Sequence, residues 1–243
     1  MKFGNNLTTI QKANWLKITI FYISILLLTY ISRRLPNLFQ LLYSPLTDTY
    51  LPWNFNHGIT IIIVSFLFYK LTSQQPGFTL LGTNKLKSIA FPCILFIGYG
   101  LYGIKNDQGI NEHLWALTFC FFTLVYDLME EYVWRGYLIE NLGKTTVLLK
   151  SLVSGVCWGI WHLLIFKEFS QYGGFGAFLA FCIIFSLVLT FSITTTKSLL
   201  VPATIHALLI RTNIITLTCF IIYLVLLFTW NRLPRKAPSA RTS

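Results

Sequence analysis

The sequence has 243 residues, of which 55% are hydrophobic and 11% charged; 21 are Phe, and the mean hydropathy is +0.64. An ordinary soluble domain carries roughly 25% charged residues, so these numbers exclude a disordered chain, a collagen-like repeat and a water-soluble enzyme, and leave a polytopic membrane protein. The formal net charge of +11 fits that class, because basic residues of membrane proteins gather on cytoplasmic loops and set orientation; no nucleic-acid partner is implied.

A membrane-spanning helix needs about 20 mostly apolar residues. In chain order, eight segments qualify or nearly do: approximately Trp15–Ile31, Gly58–Leu71, Ser88–Ile104, Leu114–Arg135, Thr146–Phe166, Phe175–Thr195, Ser198–Ile210 and Ile214–Trp230. The second and seventh are short. Only Arg211, Thr212 and Asn213 separate the last two, which reads as a tight hairpin or as one long bent helix. The first span is followed by Ser32-Arg33-Arg34-Leu35-Pro36 and not by a small-residue cleavage site, so it reads as a retained helix. The expected fold class is all-α, a polytopic membrane bundle of about eight transmembrane helices. It forms one integral membrane domain over residues 1–243.

Eight spans place both ends on one side. With that side in the cytoplasm, the inside loops carry Lys2, Lys12, Lys70, Lys85, Lys87, Lys144, Lys197, Arg232, Arg235, Lys236 and Arg241. The outside loops carry Arg33, Arg34, Lys105, Lys167 and Arg211. The bias predicts cytoplasmic termini, with a basic tail over 231–243, in the plasma membrane. The pair Arg33-Arg34 runs against it. The five cysteines, Cys93, Cys120, Cys157, Cys182 and Cys219, are isolated in apolar stretches without a CxxC, and read as small buried hydrophobes.

Three of the eight acidic residues fall inside the fourth span: Asp127, Glu130 and Glu131, with Arg135 following. An ionisable group at a bilayer centre costs about 2.5–3.5 kcal/mol on insertion scales, and such residues mark a functional site by default. Glu131 and Arg135 are spaced i,i+4 in the favourable order, so Glu131 is the natural counter-ion. Glu130 lies about 100° round the helix from Glu131 and is left to face something else; Asp127 can share its face. A structural cluster needs one carboxylate for the one arginine, and here there are three. His162 and His206 sit in the fifth and seventh spans. A carboxylate and two imidazoles can activate a water and stabilise an oxyanion, or bind a metal. His57 and His113, at span borders, read as interfacial.

Glu130-Glu131-Tyr132-Val133-Trp134-Arg135 resembles the EExxxR motif of the CAAX-protease and bacteriocin-processing family of intramembrane endopeptidases. Trp158-Gly159-Ile160-Trp161-His162 resembles that family's second motif, an aromatic residue ahead of a histidine. His206 resembles the histidine of a third motif, in which Asn or Asp follows four residues later; here that place is held by Ile210. The resemblance covers about residues 110–213. It implies a helical bundle around a polar cavity and cleavage of a peptide bond within or near the membrane. Position by position, it implies that Glu130 and His162 activate water, Glu131 and Arg135 support them, and His206 stabilises the oxyanion. Trp158 and Asp127 are candidate supporting residues, as is Asn213, seven residues beyond His206.

The resemblance implies a membrane-associated or lipidated protein or peptide as substrate, beside the lipid bilayer itself. The leading expectation is a metal-free hydrolase. The alternative is a divalent metal such as zinc held by Glu130, His162 and His206. Two further readings are an inactive binding or immunity-type member of the family, favoured by Ile210, and a small proton-coupled transporter, which uses the same residue types. Substrate identity and oligomeric state are not legible in the sequence.

Overall fold

The computed structural model describes residues 13–45 and 51–231, the side chain of Ile210 excepted. Among these residues, eight principal helices occupy the eight expected segments. They are α1 (Trp15–Ser32), α2 (Asn56–Leu71), α3 (Lys85–Tyr102), α4 (Glu112–Glu131), α5 (Val147–Trp161), α6 (Phe175–Thr196), α7 (Leu200–Ala207) and α8 (Ile214–Phe228). The fold is all-α. A π-helical stretch, Tyr132–Leu138, continues α4 to Asn141, and short 3₁₀ turns extend α5 and α7.

The helices are inside-out relative to a soluble bundle. On α1, Leu16, Ile20, Ile23 and Leu27 are exposed, while Phe21, Ile25, Thr29 and Ser32 are buried. Exposed leucines and isoleucines at helical spacing, repeated on several helices, make an apolar belt far larger than a soluble monomer tolerates. The interior holds serines and threonines such as Ser65, Ser88, Ser151, Ser186 and Thr190. Several bond their own helix, as Ser65 does to the Ile61 carbonyl at 2.9 Å and Ser151 to that of Val147 at 2.8 Å. Where lipid is the solvent, polar groups must find partners inside.

Successive helices alternate between two faces. On the first face Asn14 N–H bonds the Asn141 carbonyl at 3.2 Å, Thr79 bonds Lys197, and Trp230 bonds Thr83. On the second, Arg33 reaches the Ile165 carbonyl at 3.2 Å and Ile104 bonds Glu112. Residues 13 and 231 therefore share the first face. Of the basic residues assigned to that face, Lys2, Lys12, Arg232, Arg235, Lys236 and Arg241 lie outside the described residues, as does the tail beyond residue 231. Lys17 and Lys150, which the sequence leaves within spans, sit in the first turns of α1 and α5, so they belong to this face too. Arg34, on the second face, lies 3.3 Å over the Tyr30 ring, an interfacial placement for one half of the contrary pair.

Three helical stretches, Trp15–Ser32, Val147–Leu164 and Phe175–Thr196, are long and apolar enough to cross a membrane by length and composition. Helix α7 is not a lipid-facing span of that kind. Its eight residues rise about 12 Å, and from Val201 to Ala207 every one is buried. It is a core element that carries His206 between α3, α4 and α6. The chain turns at Arg211–Asn213 and restarts as α8, so the last two segments are separate helices. Cysteines 120, 182 and 219 are buried as expected, whereas Cys93 is exposed on α3, away from the bundle axis.

Close helix approach positions the site. A Cβ at Gly155 of α5 would stand 2.6 Å from the Ile183 Cα of α6, and one at Gly159 would stand 2.6 Å from Leu179. This small-xxx-small pair lets the two backbones meet, a common device of membrane helices. It leaves Trp158 and His162 facing α4.

Candidate active site

Asn111 caps α4 by accepting from the backbone of His113 and Leu114. From that start the helix carries Asp127, Glu130 and Glu131 into the bundle, where they are 3%, 2% and 0% exposed. Arg135 lies in the π-helical stretch and is 1% exposed. A one-residue widening of the helical ladder of this kind is found mostly at functional sites.

Glu131 is enclosed. Its Oε1 accepts from Arg135 Nη1 at 3.1 Å and lies 2.9 Å from His206 Nδ1. Arg135 Nη2 donates to Ser186 on α6 at 2.8 Å, and the guanidinium lies 4.6 Å over the Trp158 ring. The i,i+4 pairing expected from sequence is present, but Glu131 is not committed to Arg135 alone. It bridges Arg135 to the α7 histidine. Asp127 Oδ1 stands 3.7 Å from the same His206 nitrogen, and its Oδ2 is buried without a partner among the described residues.

Glu130 is held differently. Trp158 Nε1–H donates to its Oε2 at 2.6 Å. Tyr126, one turn earlier on α4, faces the same carboxylate. His162 Nδ1 lies 2.8 Å from the Trp158 carbonyl. A carbonyl only accepts, so Nδ1 carries the proton, and the neutral ring presents Nε2 as an acceptor. One residue thus orders two groups: the Trp158 ring fixes Glu130 and its carbonyl fixes the tautomer of His162.

Glu130, Asp127, Trp158, His162 and His206 all line one cavity of about 520 Å³. Residues of the second-face loops also line it, among them Pro52, Asn54, Ile165, Phe166, Tyr172 and Thr212. The structure brings together every candidate except Asn213. That side chain accepts from the backbone of Ile215 and Thr216 and closes a capping box at the start of α8. Its Oδ1 is used for the turn. Nor is His57 interfacial: it is 5% exposed, lines the cavity and packs against Tyr126 and Trp161. Ser186 and Tyr126 are the other site residues the sequence reading passed over. A lone serine in the apolar run of α6 was the available signal for the first.

Among the described residues no group of three His, Cys, Asp or Glu side chains is arranged to hold a metal ion.

The family described as type II CAAX prenyl endopeptidase Rce1-like matches residues 111–210. This stretch is similar to the CAAX protease family. The matched stretch begins at the cap of α4 and ends with the 3₁₀ turn after α7, so it contains the Glu130–Arg135 segment, His162 and His206. No curated protein and no solved structure matches the chain.

Proposed function

We propose that the chain is a metal-free intramembrane endopeptidase that hydrolyses a peptide bond in a membrane-associated or lipidated protein or peptide. The observation that carries this reading is the Glu130 carboxylate, fixed by Trp158 at the wall of a cavity that His162 shares. A water between the two gives up its proton to Glu130 as its oxygen attacks the scissile carbonyl. The Nε2 of His162 accepts from the same water and orients it. Negative charge then develops on the carbonyl oxygen. His206, with Nδ1–H held by Glu131, donates from Nε2 in its imidazolium form, and Asp127 and Glu131 supply the counter-charge. Glu130 returns the proton to the leaving amine. Arg135 keeps Glu131 in place. General-base catalysis of this kind is worth about 10²–10⁴ in rate, and an oxyanion donor about 10²–10³.

The termini are cytoplasmic in this reading. Loop residues of the face opposite residues 13 and 231 line the cavity, so in this reading substrate enters from the non-cytoplasmic side. A reporter fused after Ser243 should be active only as a cytoplasmic reporter; the opposite signal moves access to the cytoplasm.

The test of function is a comparison of new protein N-termini in membranes containing the wild type or Glu130→Gln. Cleavages present with the wild type and absent with the variant are expected. They should persist through chelation and dialysis. Restoration of chelated enzyme by stoichiometric zinc would instead make His206 a ligand. Ile210, standing where the family motif has Asn or Asp, favours one competing reading, a member that binds without turnover. Biological activity that survives Glu130→Ala would establish that reading.

A further inference from the structure

His57 stands outside the stretch that matches the family, on the first turn of α2. It is 5% exposed and lines the same cavity as Glu130 and His162. Its Nδ1 is buried with no hydrogen-bond partner among the described residues. The ring is held edge-on against Tyr126, with centroids 5.3 Å apart, and tilted against Trp161 at 5.8 Å. Charges facing it come from Glu130 on α4 and Arg33 beyond α1, with His162 on the turn after α5.

Among buried backbone groups an N–H without an acceptor is rarer than an under-satisfied carbonyl, and the same preference applied to the ring leaves its enclosed Nδ1 bare. The neutral ring then carries its proton on Nε2, the nitrogen of this cavity-lining residue that is not enclosed without a partner. This is the reverse of His162, whose Nδ1–H is fixed by the Trp158 carbonyl. The two imidazoles offer complementary groups to one cavity: His162 an acceptor, His57 a donor. An extended peptide presents carbonyl acceptors along its length. Building on the proteolytic reading, we infer that His57 is a substrate-binding residue whose Nε2–H donates to a backbone carbonyl of the peptide in the cavity.

Two measurements decide this. The first needs no substrate: ¹⁵N-histidine-labelled full-length protein in nanodiscs, with His57 assigned by its loss in a His57→Gln sample. The expected spectrum has the proton on Nε2 of His57 and on Nδ1 of His162. A proton on Nδ1 of His57 overturns the proposal. The second uses a quenched fluorescent peptide copied from the strongest Glu130-dependent cleavage junction. His57→Phe fills the ring space without a donor. His57→Asn places its amide near Nδ1, and His57→Gln reaches the Nε2 position. KM should rise about tenfold in the Phe and Asn variants, with kcat nearly unchanged, and Gln should restore most of it. Wild-type KM in His57→Phe, or equal behaviour of Asn and Gln, makes His57 a packing residue and sinks the inference. Failure of the proteolytic reading looks different: no junction depends on Glu130, and the NMR result alone then decides whether a donor faces the cavity.

Discussion

Two carboxylates on one continuous helical rod, ten residues apart, have opposite fates: Glu130 is buried and Glu140 half-buried. Glu140, near the first face, is saturated: Oε1 accepts from Gly77 N–H at 2.7 Å, and Oε2 accepts from Tyr69 at 2.8 Å and Gln74 at 3.4 Å. It ties the α2–α3 loop to the end of the rod, with Phe78 of that loop packed on Tyr132. Glu130 has an indole donor on one side and open cavity on the other. In the proposed reading the same functional group is a latch where three donors hold it and a reagent where a cavity lies beside it. High burial does not make a carboxylate structural: the more buried of the two is the one beside open space.

The comparison breaks first at Glu130. Glu130→Gln keeps the shape and the capacity to accept from Trp158 but removes the base. Cleavage should fall about 10²–10⁴-fold, with unchanged expression and elution as a folded species. A fully active Glu130→Gln protein would place Glu130 with Glu140, as a structural group.

Next in size is Arg135→Ala. It leaves Glu131 enclosed with only His206 as a charged partner and removes the bond to Ser186. Stranding a buried charge costs about 3–5 kcal/mol. The expected result is a large loss of folded protein in detergent, seen as aggregation on size exclusion. A well-folded Arg135→Ala protein would mean that His206 alone holds Glu131.

Glu140→Gln should act in the reverse sense to Glu130→Gln. Its amide turns a donor toward groups that themselves donate, at a cost of about 1–3 kcal/mol. The melting temperature should drop, while the cleavage rate per folded molecule stays near wild type. A rate loss without a melting shift would show that the α2–α3 loop feeds the chemistry directly.

The parts of this arrangement that follow regular periodicity were readable in the sequence. The pairing of Glu131 with Arg135 needs only i,i+4 spacing, and the positions of the eight helices need only apolar runs. What escaped depends on tertiary contacts. His206 comes to Glu131 because α7 is a short buried element, and its apolar residues read the same as a span. His57 looked like a border residue because α2 begins right at it; that its first turn is tucked under Tyr126 and Trp161 is a packing fact with no local signature. The π-helical stretch also has no periodic signal, because Tyr132–Leu138 is buried nearly all round. Ten residues in the chain thus separate Glu130 from Glu140, but helical arithmetic cannot relate their faces across that stretch.

Asn213 gives the smallest predicted effect and marks the boundary of the site. Its place seven residues after His206 suggested a substitute for the polar residue missing at 210. In the structure its side chain accepts from Ile215 at 2.9 Å and Thr216 at 3.1 Å, and its own N–H bonds the Thr216 hydroxyl at 3.2 Å. Those bonds satisfy donors at the start of α8 that the helix cannot satisfy itself. Replacing such a cap with alanine costs about 1 kcal/mol. Asn213→Ala should therefore lower the melting temperature slightly and leave both kcat and KM of cleavage unchanged. Asn213→Ser or Asn213→Asp should restore the melting temperature, because either side chain can accept the same backbone bonds. A drop in kcat in Asn213→Ala with no melting shift would give the residue a part in the chemistry, and the site would then extend beyond α7.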